Sequence, residues 1–221
     1  MIASQSKKKF SDKILEWYKH HGRYDLPWQK NKDPYLVWIS EIMLQQTQVG
    51  TVIPFYIKFI DRFKTIGDLA EATEDEVMGY WSGLGFYSRA RNLHKTAKII
   101  AVQFSCRFPD SYENLIQLPG IGRSTAGAIL SFCYKKKFAI LDGNVKRVLS
   151  RFFGIQESIN LTKTEKRLWD ISEQLLPDND IDIYTQAIMD FGATLCTPKK
   201  PQCDSCPINQ TCIAKKNNLT G

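Results

Sequence analysis

The chain has 221 residues, 43% of them hydrophobic and 24% charged, and no apolar run approaches the ~18 residues of a membrane span. Its 30 Lys and Arg against 23 Asp and Glu give a net charge of +7, which favours a polyanionic partner, and the lack of an apolar run leaves no membrane expected. The N-terminal stretch is polar and lysine-bearing, without the apolar core of a secretory signal, so the expected compartment is the cytoplasm, or the nucleoid if bacterial.

Helical periodicity dominates and strand alternation is nearly absent, so the expected fold class is all-α. Ser11 to His20 reads as an amphipathic helix ended by Gly22, and Leu26-Pro27-Trp28 as a rigid extended connector. Asp33-Pro34 is a helix start, a capping carboxylate followed by proline at the first helical position. The spacing predicts a helix over Tyr35 to Val49. Glu41 falls on its apolar side, near Val37, Trp38, Leu44 and Gln48. Such surroundings disfavour the charged carboxylate and raise its pKa, as a general acid requires. The alternative is a Glu paired with a buried base or reaching solvent. A further helix is predicted over Ile53 to Phe63, closed by Thr65-Ile66-Gly67, and another from Thr73 with Glu76 completing a capping box.

Trp81 to Tyr87 is a glycine-punctuated turn whose Phe86 can be core or a wedge between bases, with core favoured on pattern alone. It feeds a helix of basic residues, Arg89, Arg91, His94, Lys95 and Lys98, read as a polar face. Leu118-Pro119-Gly120-Ile121-Gly122 marks a tight turn needing positive-φ freedom, followed by a small-residue helix over Ser124 to Phe132. Free N–H groups at that helix start suit a phosphate, though an ordinary helical corner looks the same. Between Lys135 and Arg151 six basic residues surround one acid, Asp142, which is expected to cap a helix. Helices are predicted over Thr162 to Leu176 and Ile183 to Leu195.

Cys196, Cys203, Cys206 and Cys212 crowd into seventeen residues as C-x6-C-x2-C-x5-C. A reducing compartment argues against disulfides, and four thiolates suit a tetrahedral ion or a cubane cluster; the count does not separate zinc from iron–sulfur. Cys106 and Cys133 are expected to be inert core thiols.

Together, Leu26-Pro27-Trp28, Ser40 to Gln48, Gly83-Leu84-Gly85-Phe86-Tyr87, Leu118 to Gly127, Leu141-Asp142-Gly143-Asn144 and the cysteine spacing resemble the helix-hairpin-helix DNA glycosylases of base-excision repair. Within them the resemblance is to the MutY-type adenine DNA glycosylases, and it runs from Trp17 to about Asn217. It implies an all-α, two-lobed fold. A six-helix barrel with the hairpin would span 29–136, and 1–28 would join 137–221 in a second lobe holding a [4Fe–4S] cluster on Cys196, Cys203, Cys206 and Cys212.

The resemblance implies a monomer acting on double-stranded DNA containing an adenine mispair. Glu41 would protonate the flipped adenine, facing Asp142, which would stabilise the cationic sugar with Asn144 orienting it or the water. Gln46, Thr47 and Phe86 would fill the vacated stack or hold the opposite base, and Gly120, Gly122 and Arg123 would hold the strand at the hairpin. Leu26, Trp28, Gln186 and Met189 would line the adenine pocket. Ser124 stands where the strand-cutting endonuclease III-type enzymes carry a lysine, which implies a monofunctional enzyme. Two departures stand out: the family's usual Tyr is Phe86, and the chain reaches only Gly221, without the family's NUDIX-like domain. The other readings are a glycosylase for another base, such as thymine opposite guanine, and a non-catalytic DNA-binding homologue.

Overall fold

The computed structural model describes residues 4–159 and 161–219, and side chains from residue 9 onward. The described residues are mostly helical, and no strand occurs among them. The expected all-α class holds. Backbone contacts divide the protein into two compact units, Tyr24–Tyr134 and the residues up to Arg23 together with those from Lys135 onward.

The Tyr24–Tyr134 unit carries α2 (Pro34–Leu44), α3 (Val49–Arg62), α4 (Ile66–Glu71), α5 (Glu74–Trp81), α6 (Tyr87–Gln103), α7 (Tyr112–Leu115) and α8 (Arg123–Tyr134). Its core is aromatic. Trp38, Phe59, Phe63 and Trp81 are wholly buried, with Phe59 edge-on to Trp81. Asp33 caps α2 as expected, accepting from the N–H groups of Tyr35 and Leu36 with Pro34 at the first position. The capping box lies elsewhere than expected. Thr73 accepts from the Glu76 N–H, but the reciprocal pair is Thr65 and Asp68, which opens α4 where a closing turn was expected.

The predicted helix Tyr35 to Val49 stops five residues early, at Leu44. Gln46 adopts φ 57, and α3 restarts at Val49, ahead of the expected Ile53 and through Pro54. Left-handed backbone costs a non-glycine residue about 1–2 kcal/mol, so something must hold this turn.

The other unit carries α1 (Ser4–His21), α9 (Gly143–Phe153), α10 (Thr162–Gln174), α11 (Ile181–Asp190), a π-helical turn Phe191–Leu195 and α12 (Ile213–Lys216). α1 packs on α11, and α9 packs on α10, α11, α12 and the π turn. Gly22 ends α1 by donating to Tyr18 O at 2.8 Å, and an added Cβ there would stand 2.4 Å from the Tyr18 ring. α11 and the π turn together cover the segment predicted as one helix from Ile183 to Leu195; the π turn widens its last turn just before Cys196.

Candidate active site and iron–sulfur loop

In the Tyr24–Tyr134 unit the hairpin turn is built by Gly120, at φ 82, where the left-handed backbone favours glycine. Gly122 has ordinary backbone and open space around its missing Cβ, so only one of the two glycines meets the expected conformational need. Thr96 Oγ1 donates to Pro119 O at 2.9 Å and ties the turn to α6. Ser124 is half-buried one residue into α8, behind exposed Arg123.

Glu41 is half-buried on α2 between buried Ser40 and Ile42. Cys133 lies on α8, which packs against α2, and the Glu41 charge reaches it. Burial pushes that thiol up to about 12, Lys32 opposes, and the Asp33 and Glu41 carboxylates add to the rise; Cys133 is half-buried where a core position was expected. Cys106 is not a core thiol. It is exposed at φ 59 in the turn after α6, because Ser105 and Cys106 both turn left-handed to leave the helix.

Leu26 and Trp28 are buried in this unit, Trp28 edge-on to Tyr56. Phe86 is 54% exposed at φ 50, against the core preference of its pattern. Gln46 is exposed and Thr47 half-buried. The residue that organises them was missed. Arg89 is buried, 8% exposed, and its guanidinium donates to the carbonyls of Ile42, Met43, Gln45 and Gly85 and to Thr47 Oγ1. It explains why α2 stops: Arg89 takes the carbonyls of its last turn. His94 also leaves the expected polar face, buried at 3% exposure with Nε2 3.0 Å from Ala72 O. Burial first, and Lys98 second, hold its pKa below the usual histidine range.

In the other unit Asp142 caps α9, accepting from the Val145 N–H at 2.8 Å and from Asn144 Nδ2 at 3.1 Å. Burial raises its pKa above the ordinary carboxylate value, against the lowering effect of these two donors and Arg147. Asn144 is itself oriented, since its Oδ1 accepts from Arg147 Nη2 at 2.8 Å. Arg147 donates further to Gly192 O at 2.6 Å and to Cys196 O at 2.9 Å. The glycine lets the π turn approach: a Cβ on Gly192 would lie 2.7 Å from Asn144 Cβ.

Gln186 and Met189 lie on α11, the first buried and the second half-buried. Gln186 Nε2 donates to Asp190 Oδ1 at 2.8 Å. The wholly buried Asp190 also takes Arg23 Nη2 at 2.6 Å and the Arg23 N–H at 2.8 Å. Removing one side of such a buried pair costs about 3–5 kcal/mol. Gln186 is therefore partly committed to a structural network that no motif announced.

Cys196, Cys203, Cys206 and Cys212 line one recess, backed by Val148 and Phe191. Among the described residues no group of three or more His, Cys, Asp or Glu side chains converges as a single ion demands. As a donor set, four thiols lining one recess suit a cubane cluster or a tetrahedral ion. Arg151 braces this loop, with Nη1 2.6 Å from Thr197 O and 3.6 Å from Cys196 Sγ.

An acid-capped helix in one unit, a glycine hairpin in the other and a four-cysteine loop define a protein of the helix-hairpin-helix repair class. Residues 39–174 match the model of the HhH-GPD superfamily base excision DNA repair proteins. Residues 196–212 match the iron–sulfur binding domain of endonuclease III. The chain belongs to the HhH-GPD superfamily, and its four C-terminal cysteines are the ligand set of a [4Fe–4S] cluster.

Among curated proteins it is similar to the adenine DNA glycosylase of Buchnera aphidicola subsp. Baizongia pistaciae, 52% identical over 95% of this chain and 59% of the relative. It is also similar to that of Homo sapiens, 40% identical over 94% of this chain and 39% of the relative. The chain thus spans three-fifths or less of the length of these relatives. Among solved structures, a thermostable thymine-DNA glycosylase superposes with TM-score 0.88 at 31% identity, over 96% of this chain and 98% of the other. An endonuclease III–DNA complex superposes over both whole chains with TM-score 0.82 at 21% identity, a likeness of fold.

Proposed function

We propose that this protein is a monofunctional DNA glycosylase that hydrolyses the N-glycosidic bond of adenine mispaired with guanine or 8-oxoguanine in double-stranded DNA. The observation that carries the substrate is the 50–52% identity to three proteins named adenine DNA glycosylase, over 93–95% of this chain.

The chemistry follows from the bond. Its cleavage leaves electrons on the base and positive charge on the sugar, so a proton must reach the base and an anion must face the sugar. Glu41 supplies the proton to the flipped adenine. Asp142 supplies the anion, and Asn144 keeps its carboxylate oriented while water adds to the sugar carbon and loses a proton. The products are free adenine and an abasic sugar. Leu26, Trp28, Gln186 and Met189 receive the extruded base. Gln46, Thr47 and Phe86 take the space it leaves, and the hairpin residues Gly120, Gly122 and Arg123 hold the strand. The cluster, when bound, stiffens the C-terminal loop and adds fixed charge near Lys199, Lys200, Lys215 and Lys216. Ser124 offers a hydroxyl where a lysine amine would form a Schiff base, so the strand stays intact.

The likeness to the thymine-DNA glycosylase, 31% identical over nearly both whole chains, favours one second reading, thymine opposite guanine. Single-turnover release from matched duplexes carrying A·8-oxoguanine, A·G, T·G and A·T decides between them. Adenine release fastest from the first two is expected. Thymine release from T·G exceeding both would replace the reading.

A further inference from the structure

Besides Ser105 and Cys106, two non-glycine residues of the Tyr24–Tyr134 unit hold left-handed backbone, Gln46 at φ 57 and Phe86 at φ 50, and Arg89 reaches both of their turns. The Gln46 turn is closed locally by Thr47, whose N–H donates to Leu44 O at 3.2 Å and whose Oγ1 donates to Gln45 O at 3.3 Å. Gln46 comes one residue after Gln45, the C-cap of α2, and Phe86 precedes α6 with no side-chain cap. Both turns meet one buried cation. Arg89 Nη1 donates to Gln45 O, just before Gln46, and Nη2 reaches Thr47 Oγ1, just after it, at 3.1 Å. The same Nη2 donates to Gly85 O, just before Phe86, at 3.2 Å. The guanidinium also lies under the Phe86 ring, 5.1 Å from its centroid, and 5.5 Å from that of Trp81. Nη1 further holds Ile42 O at 3.0 Å and Met43 O at 2.9 Å, anchoring the group to the end of the helix that carries Glu41.

We infer that Arg89 is a positioning residue that locks the Gln45–Gln46–Thr47 turn and the Phe86 turn into one rigid wedge for the DNA duplex, in fixed register with Glu41. The inference rests on the proposed glycosylase function and goes beyond it, since Arg89 is buried and acts through the backbone it holds. Its chemistry suits the task. A planar five-donor fork satisfies several carbonyls at once and stacks on an aromatic face, which an ammonium cannot do together. Wedge residues must replace the stacking energy of the extruded base, so they serve only if held rigid before contact.

The test uses full-length, cluster-loaded Arg89→Lys and an A·G duplex with 2-aminopurine beside the target adenine, whose fluorescence rises on unstacking. Melting temperature and visible cluster absorbance establish that the variant is folded. The expected result is duplex affinity within about threefold of wild type, since phosphate contacts dominate it. The fluorescence rise is mostly lost, and single-turnover adenine release falls roughly a hundredfold, the scale of a misplaced reacting group. A wild-type fluorescence rise, or affinity and fluorescence lost in proportion, overturns the inference. Should Arg89→Lys fail to fold, Thr47→Val removes a single acceptor of the fork, and a smaller loss of the same kind is expected; an unchanged rise overturns the inference there too. If wild type unstacks the duplex yet releases no adenine, the glycosylase reading fails and the wedge stands.

Discussion

Asn144 Nδ2 lies 3.1 Å from Asp142 Oδ2, and the other end of the same amide accepts from Arg147. The carboxylate therefore sits in a fixed rotamer with one oxygen on the Val145 N–H and the other on a side chain that cannot turn freely. This geometry keeps an acid aimed although burial works against its charge.

Asp142→Asn should separate stability from activity. Asparagine caps a helix as well as aspartate does. The sign follows from the raised folded pKa: above the ordinary carboxylate value the fold must keep ionised a group that burial disfavours, so the aspartate destabilises there. Removing the charge should stabilise the protein by about 1 kcal/mol at neutral pH while slowing base release roughly 10²–10³-fold. Thermal melts and single-turnover release measure the two; a destabilised variant would contradict the burial argument.

Glu41→Gln keeps size and hydrogen bonding and removes only the transferable proton. Adenine release should fall by about 10²–10⁴ with duplex affinity retained. Near wild-type release would remove Glu41 from the reaction.

Ser124→Lys should introduce an amine at the sugar of the flipped nucleotide. Borohydride should then trap a covalent protein–DNA adduct, and the strand should be nicked without alkali, while wild type does neither. Absence of an adduct on DNA that the variant binds would count against Ser124 as the branch point.

His94 predicts an acid-side loss of stability. Its pKa is depressed in the fold from 6.5, so below that value the unfolded chain takes up a proton that buried His94 resists. Stability should fall as pH drops through this window and be regained on return to neutrality. Melting temperatures at about pH 7.5 and 5.5 should differ more for wild type than for His94→Gln. Equal differences would place the titration elsewhere.

Much of the site was legible because it is local. Asp33-Pro34 and Asp142 declare their helix starts within three residues, and four cysteines within seventeen residues declare their loop. What escaped depends on partners far along the chain. The break after Leu44 follows from Arg89, more than forty positions away, whose spacing among Arg91, Lys95 and Lys98 made it look solvated. His94 was misread for the same reason, its partner being the carbonyl of Ala72. Thr65-Ile66-Gly67 looked like a closing turn because glycine usually ends helices, whereas the Thr65–Asp68 reciprocal bonds make it a beginning. Cys106 was placed in the core by its apolar neighbours, but two successive left-handed residues carry it outward.

Gly192 sets a limit on which variants of this protein can be borne. It has no side chain to offer either the cysteine loop or Asp142, yet one added methyl group would stand 2.7 Å from Asn144 Cβ and 3.0 Å from Asn144 O. The neighbour that would have to yield is backbone at the start of α9, which has no room to bend without tilting the cap. A harmless-looking Gly192→Ala change would thus present as an enzyme defect in a folded, iron-loaded protein, and a survey of damaging substitutions confined to contact residues would pass over it.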